Sequence, residues 1–206
     1  MPEQRTMERR FAPENIHVEK REDGTATLRG HAAVWYRKSD PGTEYDLGYN
    51  MVERIQKGAF ARALAESQDV RGLFNHQPDH VLGRTTAGTL RLREDSKGLA
   101  YEIDLPDTQL ARDLVASIER GDITGSSFAF VIRAEEWEFK KDRDIRTITE
   151  IDTLFDVGPV TFPAYAATDT GLRAVGEVSD VAAARDRALR QAKNQRLAKC
   201  AELDLH

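Results

Sequence analysis

Gly125-Ser126-Ser127-Phe128-Ala129-Phe130-Val131-Ile132-Arg133-Ala134-Glu135-Glu136-Trp137-Glu138-Phe139, followed after a charged turn by Arg146-Thr147-Ile148-Thr149-Glu150-Ile151-Asp152-Thr153-Leu154, is the stretch that decides the fold class. Aromatic and β-branched residues fill both arms, and the second intersperses apolar with polar side chains strongly enough to read as a half-buried strand. Lys140 to Arg146 is the turn between them. Val157 to Phe162 reads as a further short strand despite Pro159, with Pro163 ending it.

Toward the N-terminus the same pattern recurs in shorter pieces. Gly88–Arg93 and Leu99–Leu105 are strands joined by the turn Asp95 to Gly98, and Val70–Asn75 is another. Ile16–Lys20 and Thr25–Trp35 flank the turn Glu22-Asp23-Gly24, with Gly30 marking a bulge or a close backbone approach. Two helices interrupt the strands. Phe60 to Glu66 follows Gly58, and Asp107 to Arg120 has a cap at Asp107 or Thr108. The second helix carries an apolar stripe, Leu110, Leu114 and Ile118, and Gly121 ends it. Lys38 to Asn50, with Pro41, Gly42 and Gly48, reads as a surface loop. Seven or eight strands with two internal helices predict a mainly β protein with helices, its sheet closed or strongly curved.

The chain has 206 residues, 40% hydrophobic and 32% charged, enough for one domain with a substantial core. Residues 1–15 read as a flexible leader, 16–175 as the domain, and 176–206 as a helical tail over Asp180 to Leu203, exposed and rich in alanine. The net charge of −5 argues against a protein that coats nucleic acid. The charge is uneven: Val178 to Lys199 carries a net +4, leaving −9 for the rest, so the tail is attracted to the body or to an acidic partner. One cysteine, Cys200, forms no intrachain disulfide, and no apolar run is long enough to span a bilayer. The polar start predicts no signal peptide.

Chemistry concentrates at three strand ends: Phe74-Asn75-His76, Gly125-Ser126-Ser127, and Asp156 ahead of Val157-Gly158-Pro159-Val160. A neutral imidazole takes a serine proton, and a carboxylate fixes the ring's tautomer. The separations, 51 residues from His76 to Ser127 and 29 from Ser127 to Asp156, require a tertiary site. The glycine-x-serine-x-glycine elbow fails because position 129 is alanine. Zinc is disfavoured too: His76 and His80 are four apart, but Pro78 argues against the helix that would align them.

At these residues the chain resembles the tailed-phage prohead maturation proteases. The likeness runs from the Arg-Phe opening through Leu28-Arg29-Gly30-His31-Ala32-Ala33-Val34-Trp35 and Glu53-Arg54-Ile55 with Gly58-Ala59-Phe60. It continues in Leu73-Phe74-Asn75-His76 with Leu82-Gly83-Arg84, in Ile123-Thr124-Gly125-Ser126-Ser127-Phe128-Ala129-Phe130, and in the closing Asp156 to Tyr165. Three positions depart from the family's pattern. Ser126 stands where an apolar residue is usual, creating a rival hydroxyl; Ala129 replaces a glycine; Gly158 takes a serine's place.

The resemblance implies a serine endopeptidase with Ser127 as nucleophile, His76 as base and Asp156 as third member, with Asp152 and Glu150 as other candidate orienters. It implies an antiparallel β-barrel flanked by helices, like the herpesvirus assemblin proteases, which use a serine-histidine-histidine arrangement. It calls for no metal or organic cofactor. The implied substrates are the scaffold region of the major capsid protein and the protease itself, inside the assembling procapsid in the host cytoplasm. A homo-oligomer is expected, with no membrane and no direct nucleic-acid role. The alternative is an inactive scaffold or assembly protein of the same fold.

Overall fold

The computed structural model describes residues 6–12, 16–22, 24–162 and 181–195. Two sheets carry the fold. The smaller is antiparallel, in the order β2 (His17–Lys20), β3 (Ala26–Val34), β9 (Gly98–Asp104), β8 (Leu90–Glu94). The larger has seven strands, and its path runs β1 (Met7–Ala12), β10 (Gly125–Phe139), β11 (Asp144–Val160), β5 (Met51–Ile55), β4 (Tyr45–Gly48). Off this path β6 (Arg71–Leu73) pairs with β11, and β7 (Val81–Arg84) pairs with β6.

This topology corrects the expected closed or strongly curved antiparallel barrel. Among the described residues neither sheet returns on itself, since β1 and β4 end the larger path and β2 and β8 the smaller. The larger sheet is also mixed, because β11 runs parallel to β5 and to β6. The cause is the length of β11. At 17 residues it far exceeds the usual five or six, so Asp144 to Ile148 receive β5 while Asp156 and Val157 receive β6. The sheet branches instead of rolling up. The mostly β composition with flanking helices stands.

Both sheets turn apolar faces into one core. Leu28, Leu99, Tyr101 and Ile103 come from the smaller, and Ile55, Phe128, Phe130, Ile148, Leu154 and Val157 from the larger. Phe128 stacks on Phe130 at 4.6 Å and meets Phe60 edge-on at 5.5 Å. Helix α1 (Ala61–Ala65) adds Ala63, and α2 (Gln109–Glu119) adds Leu114 and Ile118. Thr108 caps α2 by accepting from the Ala111 amide. Gly121, with φ +82°, closes it: its N–H reaches the Ile118 carbonyl while the Asp122 N–H reaches Ser117, a Schellman pair. Gly30 is a close approach, for a Cβ there would lie 2.7 Å from the Tyr101 hydroxyl.

Three segments differ from expectation. Residues 7–12, placed in the leader, form β1 against β10, held by a buried ion cluster. Arg10 pairs with Glu8 and Glu53, both at 2.5 Å, and Arg146 bonds Glu8, Glu53 and Glu135 at 2.7–3.0 Å. The expected loop Lys38 to Asn50 contains β4, joined to β5 through Tyr49 and Asn50, both at positive φ (51° and 59°), which matches a type I′ hairpin. In the tail, residues 181–195 are helical and not fully exposed, since Val181 packs with Leu47, Met51 and Trp137 and Arg185 pairs with Asp144. Among the described residues no helix is long and apolar enough to cross a membrane.

Candidate active site

Strands β10 and β11 supply two of the three side chains, and a bulge decides where they point. Phe130 lies opposite Leu154 while Ala129 lies opposite Asp156, so Phe155 is an extra residue in β11. One added residue inverts the alternation. Leu154 therefore faces the core and Asp156 the other side, where it shares a face with Gly158 and, across the pair, with Ala129 and Ser127. Without the bulge, simple alternation would put Leu154 and Asp156 on one face.

His76 arrives from β6. Beyond Leu73 the chain turns back toward β7, with Gln77 N–H to the Phe74 carbonyl and Phe74 N–H to the His80 carbonyl. Asn75 and His76 both adopt positive φ, 54° and 56°. Positive φ is uncommon outside glycine, although asparagine and histidine tolerate it better than most, and costs on the order of 1 kcal/mol. The turn delivers the imidazole between the other two groups. His76 Nδ1 lies 2.5 Å from Asp156 Oδ1, and His76 Nε2 lies 2.7 Å from Ser127 Oγ. The Arg10 carbonyl lies 2.9 Å from Ser127 Oγ and is the alternative acceptor for the one hydroxyl proton that Nε2 takes. Ser127 is 2% exposed and Asp156 7%, while the His76 side chain keeps 11%.

The rival hydroxyl points elsewhere. Consecutive strand residues face opposite ways, and Ser126 Oγ sits in the core, 2.7 Å from the Tyr101 hydroxyl. Burial pushes the Tyr101 phenol well above its usual range, with the Ser126 bond opposing part of that shift, so it stays protonated. Asp152 and Glu150 face arginines: Asp152 bonds Arg62 and Arg133 at 3.3 and 3.1 Å, and Glu150 pairs with the same two. His80 stacks on Phe74 at 6.1 Å and its Nδ1 is buried without a partner. Among the described residues no cluster of three or more His, Cys, Asp or Glu is arranged to hold a metal.

The family model for caudovirus prohead serine proteases matches residues 14–180. The chain belongs to this family. Membership makes it a serine protease of prohead maturation, working among capsid and scaffold proteins during assembly. No curated protein matches the chain. Among solved structures it is similar to the bacteriophage T4 capsid assembly protease, gp21, at 10% identity, covering 78% of this chain and 100% of that one with a TM-score of 0.48.

Sequence reasoning missed two contributors to this site. The Arg10 carbonyl is a backbone atom, carries no residue-type signal, and lies in the segment read as leader. Asn75 and Thr161 are joined by hydrogen bonds of 3.0 Å (Asn75 Nδ2 to Thr161 Oγ1) and 2.8 Å (Thr161 N–H to Asn75 Oδ1). The only hint was that asparagine tolerates positive φ better than most residues.

Proposed function

We propose that this prohead protease cleaves peptide bonds through Ser127, with His76 as base and Asp156 as orienter. One observation carries the reading: a single imidazole lies within hydrogen-bond distance of the Ser127 hydroxyl on one nitrogen and the Asp156 carboxylate on the other. With Nδ1–H donated to Asp156, Nε2 is left with the lone pair that accepts the serine proton. Ser127 Oγ then attacks the scissile carbonyl carbon as its proton passes to Nε2. Collapse expels the amine, which takes that proton. Water, deprotonated by the same nitrogen, opens the acyl ester and restores Ser127.

The substrates that fit are the scaffold region of the major capsid protein and the chain's own termini, cleaved inside the procapsid. The test compares wild type with Ser127→Ala, Ser126→Ala and His76→Ala on a capsid-precursor peptide, with mass spectrometry of each chain for self-cleavage. Ser127→Ala and His76→Ala are expected to lose at least about a thousandfold in rate, while Ser126→Ala keeps activity per folded molecule. Cleavage retained by Ser127→Ala and lost by Ser126→Ala would overturn the assignment.

A further inference from the structure

We infer that Asn75, through Thr161, is the positioning residue that holds the His76 imidazole in line. This rests on the reading of Ser127, His76 and Asp156 as catalytic. His76 stands in a short turn rather than on a strand, and its left-handed backbone is uncommon outside glycine even though histidine is among the residues that tolerate it best. What fixes the turn therefore fixes the imidazole. The neighbouring Asn75 does so from three atoms: its N–H donates to the Pro159 carbonyl at 3.0 Å, its Oδ1 accepts from the Thr161 N–H at 2.8 Å, and its Nδ2 donates to Thr161 Oγ1 at 3.0 Å.

All three bonds end on Pro159 and Thr161, the same chain segment that carries Asp156. The amide therefore ties the turn bearing the base to the strand bearing its carboxylate, a few residues further on. A second close approach works with it. A Cβ on Gly158 would lie 2.0 Å from the Leu73 carbonyl, so β11 and the start of the turn are in backbone contact there. Between these two points His76 has little freedom to swing. Asn75 is half-buried and Thr161 exposed. Their bonds therefore add little to global stability, while a small displacement of a base from its nucleophile costs heavily in rate.

The test separates positioning from stability. Asn75→Gly keeps the backbone freedom for positive φ and removes the amide; Thr161→Val removes only the hydroxyl acceptor; Thr161→Ser restores it. Full-length variants are reacted with a fluorescent alkyl fluorophosphonate, and the maximal labelling rate and half-saturating concentration are measured beside the melting temperature. Asn75→Gly is expected to lose about 10- to 100-fold in maximal rate with half-saturation nearly unchanged. Thr161→Val should lose about threefold to tenfold, and Thr161→Ser should stay near wild type. A maximal rate for Asn75→Gly within about twofold of wild type, while His76→Ala is unreactive, overturns this inference and leaves the catalytic reading intact. So does a loss that vanishes once corrected for folded fraction. Undiminished labelling of His76→Ala overturns both.

Discussion

Tyr101 and Ser126 show what a single hydroxyl does when it is not the nucleophile. They bond at 2.7 Å with Tyr101 1% and Ser126 0% exposed. Removing either partner strands the other in the core, at a cost of about 1–3 kcal/mol. Tyr101→Phe and Ser126→Ala should each lower urea stability by that amount, and the double variant should lose less than the sum of the two. Strict additivity would mean the hydroxyls do not interact. Gly158 gives a second prediction. A side chain there meets the Leu73 carbonyl, three residues before His76, so Gly158→Ala should melt lower and label with fluorophosphonate at least about tenfold more slowly. Unchanged labelling would show that the strand and the turn separate freely. At this scale the sequence was informative in one respect and silent in another. Strand alternation required that only one of Ser126 and Ser127 face His76. Which one depends on pairing partners that local pattern does not contain.

At the scale of elements, the ion cluster explains why β1 belongs to the domain. Glu8 and Arg10 on β1 meet Glu53 on β5 and Arg146 on β11, all nearly buried. Burial pushes the Glu8 carboxyl up, but the charges and hydrogen bonds of Arg10 and Arg146 outweigh it and hold the group below its ordinary 4.5. The folded value thus lies below the unfolded one. The stability Glu8 contributes is complete above about pH 4.5 and is lost as pH falls through the folded value. Arg146→Met removes part of that pull and leaves buried carboxylates under-compensated, so it should cost about 3–5 kcal/mol at pH 7. Its deficit relative to wild type should hold above about pH 4.5 and shrink as pH falls below it, measured by urea unfolding at each pH. A deficit that grows in acid would contradict this account. Met7 to Ala12 reads Met-Glu-Arg-Arg-Phe-Ala, with three consecutive charges and no apolar alternation, so a strand whose inward side chains are mostly ionic gives no apolar stripe to recognise. The strands β3, β8, β9 and β10 and helix α2 were legible because their apolar faces follow the period of the element.

At the scale of the whole molecule, the barrel was the misreading, and its cause is topological. Strand count and spacing suit an open sheet as well as a closed one. The branch at β11 depends on parallel pairings with β5 and β6, 93 and 85 residues apart in the chain. The tail shows the same limit. Its excess of positive charge suggested electrostatic attraction to the body, but among the described residues, 181–195 also have an apolar seat: Val181, 3% exposed, lies with Leu47, Met51 and Trp137, beside the ion pair of Arg185 with Asp144. Burying a valine side chain stabilises by about 1.5–3 kcal/mol, whereas a pair with a partly exposed arginine contributes about 1 kcal/mol or less and is weakened by salt. The apolar term should therefore decide whether the helix stays docked. Val181→Asp in the full chain is expected to speed hydrogen exchange across residues 181–195 and at Leu47 and Met51, while 1 M sodium chloride on wild type leaves exchange there nearly unchanged. Labelling of Ser127 by fluorophosphonate should be unaffected by the substitution, because Leu47, Met51 and Trp137 stand on β4, β5 and the far end of β10. Salt releasing the helix where Val181→Asp does not would make charge, rather than burial, the force that holds it.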